Sequence, residues 1–338
     1  MENTHTAARI LHLPSFHCIC RWKASCNPHY DKVCAESRQW VLSYNILSPG
    51  KCDMLDKCLP ELLCSWAYPY ATPEQLRLCC DFTSLLFVVD EISDDQDGNG
   101  AAATGYTLLD ALRDVSFDDG SKLCKMTQNF RSRFLPTTSK ETYNRFVRNM
   151  DYYIKSFTIE ADLREKDVVL GMNSYTLIRR GNSGCLPSFD MMGIELPDAV
   201  FDNSIFRAIY DDATDLVTIP NDVYSYDKEQ SSGHYAANIV SVIQRERGLT
   251  IQQAVECAGE QFKLCMERFE SNIQLLPSFG AEADAAVDRY IMTLKLWVAG
   301  NLEWSFESLR YFGERGPSVK QSLIVELSPL LRSHTDTS

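Results

Sequence analysis

From about residue 30 to residue 316, apolar side chains recur at three- and four-residue spacing and strict alternation is scarce, which predicts a succession of amphipathic helices. Glycine and proline gather between the periodic blocks, at Asp97 to Gly100, Leu135 to Ser139, Gly181 to Pro187 and Ser231 to Gly233, where they predict inter-helix loops. None of these is long or biased enough to be a domain linker, and no internal repeat is present. The pattern predicts an all-α fold, one bundle of roughly ten to twelve helices. Residues 1–27 read as a partly irregular N-terminal segment, 28–316 as the domain, and 317–338 as a C-terminal segment with a polar, frayed tail from Arg332 to Ser338.

Composition adds limits. The 338 residues are 45% hydrophobic and 23% charged, ordinary for a soluble globular protein. No run approaches the roughly 18 apolar residues that a membrane span needs. Met1 to Cys20 lacks a basic region followed by an apolar run, so a secretory leader is not expected and a cytoplasmic location follows. The net charge of −13 argues against a nucleic-acid surface, and any phosphate must be met locally or through bridging cations. Thirteen cysteines, at spacings such as Cys18, Cys20, Cys26 and Cys34, fit neither a zinc knuckle nor a disulfide framework and are expected as reduced thiols. A zinc site using His17 or His29 is the weaker alternative.

Candidate chemistry begins where an apolar run ends. Ser84 to Val89 leads straight into Asp90, Glu91, Ile92, Ser93, Asp94 and Asp95. On a helix, Asp90 and Asp94 share a face, with Phe87 one turn before Asp90. Like charges at this spacing repel, so a cation explains them better than helix stability does; oxygen-only ligands suit Mg²⁺. The alternative is a solvated acidic helix end. Further on, Asn221, Ser225 and Glu229 are spaced by four and four, within about an 80° arc of a helix, so an amide oxygen, a hydroxyl and a carboxylate can converge on one cation. Chance polarity of one helix face is the competing account.

Asp90, Glu91 and Asp94, followed about 130 residues later by Asn221, Asp222, Ser225, Lys228 and Glu229, resemble the aspartate-rich and NSE motifs of class I terpene synthases. Arg179, Arg180 and Gly184 resemble the family's diphosphate-sensing segment, Arg310 and Tyr311 its carboxy-terminal Arg-Tyr pair, and Trp297 to Phe312 is similar to fungal, basidiomycete-type sesquiterpene synthases. The resemblance spans roughly Pro28 to Phe312 and departs from the pattern at Glu91, where many members have Asp. It implies the class I terpenoid synthase fold, a helical bundle enclosing an apolar active-site cavity. Arg179 and Arg180 compete for the sensor position; Arg180 is preferred because Ser183 and Gly184 then fall at the family's linker and effector offsets, leaving Arg179 and Gly184 as supporting residues.

The resemblance further implies a sesquiterpene synthase that ionises farnesyl diphosphate with three Mg²⁺ ions. Asp90 would hold two, supported by Glu91 and Asp94, and Asn221, Ser225 and Glu229 the third, while Arg180, Lys228, Arg310 and Tyr311 would contact the diphosphate. Trp297, Trp304 and Tyr311, spaced by seven, predict an aromatic stripe, with Phe87 and Trp304 as cavity wall and core packing as the alternative for Trp297. The stretch from Cys26 to Tyr30 onward resembles members that close carbon 1 onto carbon 11, toward protoilludene-type products; 1,10-closure to a cadinane or germacrane type is the alternative. A second acidic triplet, Asp211, Asp212 and Asp215, is like that of chain-elongating prenyl diphosphate synthases but would lie about 15 Å along a helix from Asn221. Elongation and a non-catalytic helical scaffold are the competing functions, and a monomer or homodimer is expected.

Overall fold

The computed structural model describes residues 9–93, 96–166, 168–232 and 235–329. Among these residues the α-helices are α1 (Phe16–Ile19), α2 (Tyr30–Ser43), α3 (Pro49–Cys58), α4 (Pro60–Ala67), α5 (Pro73–Ser93), α6 (Gly98–Arg113), α7 (Lys122–Phe134) and α8 (Lys140–Glu165). They continue as α9 (Met172–Asn182), α10 (Cys185–Phe189), α11 (Asp198–Asp202), α12 (Ser204–Ser232), α13 (Ile239–Arg247), α14 (Ile251–Leu275), α15 (Ala281–Glu307) and α16 (Gly316–Ser322). Asp94, the polar tail from Arg332 and the Gly233 end of one predicted loop lie outside the described residues.

Local chemistry fixes where the important helices begin. At α5 the Thr72 hydroxyl accepts from the Gln75 N–H (3.3 Å) and the Gln75 side chain accepts from the Thr72 N–H (3.1 Å), a capping box with Pro73 just inside the helix. At α12 the Asn203 amide oxygen accepts from the backbone N–H groups of Ile205 (3.0 Å) and Phe206 (3.1 Å). Pro220 inside α12 removes the donor that would have met the Leu216 carbonyl, one residue before the Asn221 row begins. After α9 the chain turns at Gly184 (φ 70°), a left-handed conformation suited to glycine, and restarts as α10.

The core is one apolar cluster around α4, α5, α8, α12, α14 and α15. Helix α15 approaches α4 so closely at Gly300 that an added Cβ would sit 2.5 Å from the Trp66 carbonyl carbon and 2.6 Å from its oxygen. Backbone cannot yield there as a side-chain tip would. Gly300→Ala is therefore expected to destabilise the protein by about 1–3 kcal/mol, the usual cost of overpacking, as read by denaturant unfolding. Wild-type stability in that variant would show that the helix pair can shift apart freely.

A two-stranded antiparallel ribbon joins the ends of the described chain, β1 (Ile10–His12) with β2 (Ile324–Glu326), Leu11 opposite Val325. Leu11 and Val325 are buried and their neighbours exposed. Three-residue strands are too short for a period of two to register, which is why the sequence pattern shows only helices.

Candidate active site

A cavity of about 440 Å³ opens among α5, α8, α9, α12 and α15, within the ordinary size range of small-molecule sites. Leu63, Leu86, Phe87, Phe157, Val217, Trp297 and Trp304 supply apolar wall, and Asp90, Glu91, Arg179, Asn221, Ser225, Lys228, Glu229, Arg310 and Tyr311 line the same space. Gly184 lines it as well. The predicted site residues therefore meet in one place, with two exceptions: Arg180 is not part of the lining, and Asp94 lies outside the described residues.

On the α5 side, the Arg310 guanidinium lies 5.2 Å from the Phe87 ring centroid and donates to the Cys58 sulfur (3.2 Å). Burial opposes its charge, but Cys58, Tyr311 and Asp90 outweigh this and raise its pKa above the ordinary value, so it remains a cation. Arg310 makes no ion pair with its chain neighbours Glu307 and Glu314 among the described residues; Glu307 instead accepts from the Trp66 indole (2.9 Å). The Trp304 N–H is tied to the backbone oxygens of Cys58 (2.8 Å) and Leu59 (3.1 Å), which fixes the ring against Phe87 (6.4 Å, 80°) and Tyr311 (5.7 Å, 83°). The stripe expectation needs correcting at Tyr311: α15 stops at Glu307, and the turn beyond it brings Tyr311 back against Trp304.

On the α12 side, Asn221 is held at both ends of its amide. Its oxygen accepts from Arg179 Nη2 (2.9 Å) and its nitrogen donates to the Tyr311 hydroxyl (2.6 Å). Ser225 Oγ donates back to the Asp222 carbonyl (3.3 Å). Burial, reinforced by Asp222, holds the Glu229 carboxyl above the usual carboxylate range. Burial also pushes the Tyr311 hydroxyl up to about 12, against the pull of Arg310.

Arg179 organises this wall. Besides Asn221 it donates to Asp222 Oδ1 (2.8 Å) and Asn182 Oδ1 (3.2 Å). The other Asp222 oxygen accepts from the Tyr175 hydroxyl, and Asn182 donates onward to Glu160. Burial works against the Arg179 charge, yet Asp222, Tyr175 and Glu160 more than offset it and raise its pKa.

Arg180, expected at the diphosphate, points elsewhere. Its guanidinium is forked onto Asp215 (2.8 and 2.6 Å) and bonded to Asp211 (2.6 Å). Adjacent residues on a helix are about 100° apart, and here that turn carries Arg180 to Asp211 and Asp215 while Arg179 lines the cavity. The same contacts account for the second acidic triplet, since Asp212 is held by Arg268 (2.9 and 3.0 Å). Asp212, Asp215 and Cys265 come together, but the two carboxylates already carry guanidinium partners.

Several contributors escaped the sequence reading: Tyr175, Asn182, Glu160 and Asn238. Tyr175 and Asn182 had a local signal, four residues before and three after Arg179 and so on the same face of α9. The others are joined to the site by tertiary contacts alone.

The donors facing the cavity on both sides are carboxylate, amide and hydroxyl oxygens, a set that fits a hard divalent cation. Comparison with known proteins agrees. Residues 81–268 match the family model described as terpene synthase family 2, C-terminal metal binding. The chain is 43% identical over 327 residues (95% of this chain, 94% of the relative) to a Coprinopsis cinerea protein named linoleate 10R-lipoxygenase COP4. It is 42% identical to the bifunctional terpene synthase Agr4 of Cyclocybe aegerita (94% and 93% covered) and 36% identical to sesquiterpene synthase 2 of Postia placenta (97% and 98%). In fold it is similar to the crystal structure of germacradien-4-ol synthase from Streptomyces citricolor, with a TM-score of 0.74 over 84% of this chain and 96% of that one, at 22% identity.

Proposed function

The chain belongs to the terpene synthase family, among basidiomycete-type sesquiterpene synthases, and from that premise we propose that this terpene cyclase ionises farnesyl diphosphate with Mg²⁺ and cyclises the cation, releasing diphosphate. The observation that carries this reading is the convergence, on one apolar-walled cavity, of oxygen donors from α5 and α12 with Arg179, Lys228, Arg310 and Tyr311.

Asp90, with Glu91 and Asp94, would hold Mg²⁺ from the α5 side, and Asn221, Ser225 and Glu229 from the α12 side, three ions in all. Bound there, Mg²⁺ supplies the positive charge that lets a diphosphate leave. Arg179, in place of Arg180, joins Lys228, Arg310 and Tyr311 in donating to the phosphate oxygens, where preorganised donors act on developing charge. Phe87, Trp297 and Trp304 offer ring faces to the cation, each worth about 0.5–2 kcal/mol, and the apolar wall keeps water from it.

The lipoxygenase name of one relative stays with that protein. Among the described residues, those lining this cavity offer carboxylate, amide and hydroxyl oxygens and no histidine, a set suited to Mg²⁺. Engagement of Asp211, Asp212 and Asp215 by Arg180 and Arg268 weighs against chain elongation. For ring closure we propose the 1,11 mode toward a protoilludene-type skeleton, which product analysis separates from 1,10-closure. Among the described residues no helix is long and apolar enough to cross a membrane; the proposal is completed by a cytoplasmic location and a monomer or homodimer.

A thermal-shift experiment tests the reading. Arg179 occupies the Asn221 oxygen that a cation would need, and a diphosphate gives Arg179 a better partner. Mg²⁺ and inorganic diphosphate together should therefore raise the melting temperature by more than the sum of their separate shifts. Saturation at about 100 times the dissociation constant corresponds to about 2.7 kcal/mol. No shift with both present would favour a helical scaffold without this site.

A further inference from the structure

Glu229 is the last of the α12 row, and its carboxylate is gripped by a residue outside every motif. Asn238 is fully buried and caps α13. Its amide oxygen accepts from the Val240 N–H (2.8 Å), and its amide nitrogen donates both to the Asp222 carbonyl (2.7 Å) and to Glu229 Oε2 (2.9 Å).

These three bonds assign the amide unambiguously. Exchanging its oxygen and nitrogen would set an acceptor against two acceptors and a donor against an N–H. The side chain is thus locked by the start of one helix while it holds two residues of another. A long glutamate that reaches a cavity needs such a hold to present its oxygens in one orientation.

We propose that Asn238 is a positioning residue for Glu229, fixing its carboxylate for Mg²⁺; this rests on the reading of Glu229 as a metal ligand. Groups that orient a ligand from behind are commonly worth 10- to 100-fold in metal affinity. Asn238→Ser keeps an oxygen for the α13 cap, but its shorter hydroxyl lacks the amide nitrogen that donates to both Asp222 and Glu229. Asn238→Asp keeps the cap and places a like charge against Glu229.

The experiment titrates Mg²⁺ at fixed inorganic diphosphate and follows the melting temperature, each protein referred to its own metal-free value, with Glu229→Gln as reference. The expected result is a half-saturating Mg²⁺ concentration raised about 10- to 100-fold in Asn238→Ser and at least as far in Asn238→Asp. If Asn238→Ser does not fold, Asn238→Asp carries the test. Wild-type titrations in the Asn238 variants beside a weakened Glu229→Gln would overturn the positioning role, leaving Asn238 only a cap. An unchanged Glu229→Gln would overturn the ligand reading on which it rests.

Discussion

Arg179→Met is expected to lower turnover by about 10²- to 10³-fold, equivalent to about 2.7–4 kcal/mol, the cost of removing one preorganised donor from developing charge. The side chain lines the cavity, and its fork already spans Asn221 and Asp222. It is also expected to lower stability, because Asp222 is 2% exposed and would lose its guanidinium partner. Breaking a buried pair from one side costs about 3–5 kcal/mol. The loss here should fall at or below that range, since Tyr175 and the Ile239 N–H (2.8 Å) still donate to Asp222. Arg180→Met is the control: it strips a two-bond partner from the largely buried Asp215 as well as a bond to the half-exposed Asp211, so stability is expected to fall by about 1–3 kcal/mol, with turnover close to wild type. Single-turnover rates and melting temperatures of the two variants decide the matter, and a larger rate loss in Arg180→Met would return the sensor to that position.

Asp90→Asn should be comparably damaging to the rate and nearly silent in the fold. Asp90 stands in the last turn of α5 and lines the cavity near Arg310, where the proposed function gives its carboxylate a cation to hold. The amide keeps its shape and removes its charge. Metal assistance to a leaving group is worth several kcal/mol, and each 1.36 kcal/mol is tenfold, so a loss of about 10²- to 10³-fold at saturating Mg²⁺ is expected. Circular dichroism should show unchanged helix content. Near-normal turnover would remove Asp90 from the metal site.

What could be read in the sequence was whatever has a local period. The apolar run before Asp90 gives α5 and the carboxylates at its end, and the four-residue spacing of Asn221, Ser225 and Glu229 gives a shared face of α12. Loop offsets favour Arg180 while the structure turns Arg179 to the cavity, because offsets along a chain do not say which way a helix is turned. Only the opposing surface, Asp222 on one side and Asp211 with Asp215 on the other, fixes that rotation. Asn238 and Glu160 have no signature for the same reason, since each is tied to the site through a residue of another helix. The pairing of Leu11 with Val325 joins residues far apart in the chain, beyond any periodic signal.

Incubating the purified protein with farnesyl diphosphate, with and without Mg²⁺, and following diphosphate release together with gas chromatography and mass spectrometry of the organic phase tests whether the chain is a Mg²⁺-dependent sesquiterpene cyclase. The expected result is Mg²⁺-dependent release of diphosphate matched by a cyclic sesquiterpene, abolished by chelation and strongly reduced in Asp90→Asn. Farnesyl diphosphate left unconsumed in the presence of Mg²⁺, or consumed equally well after chelation, would contradict it.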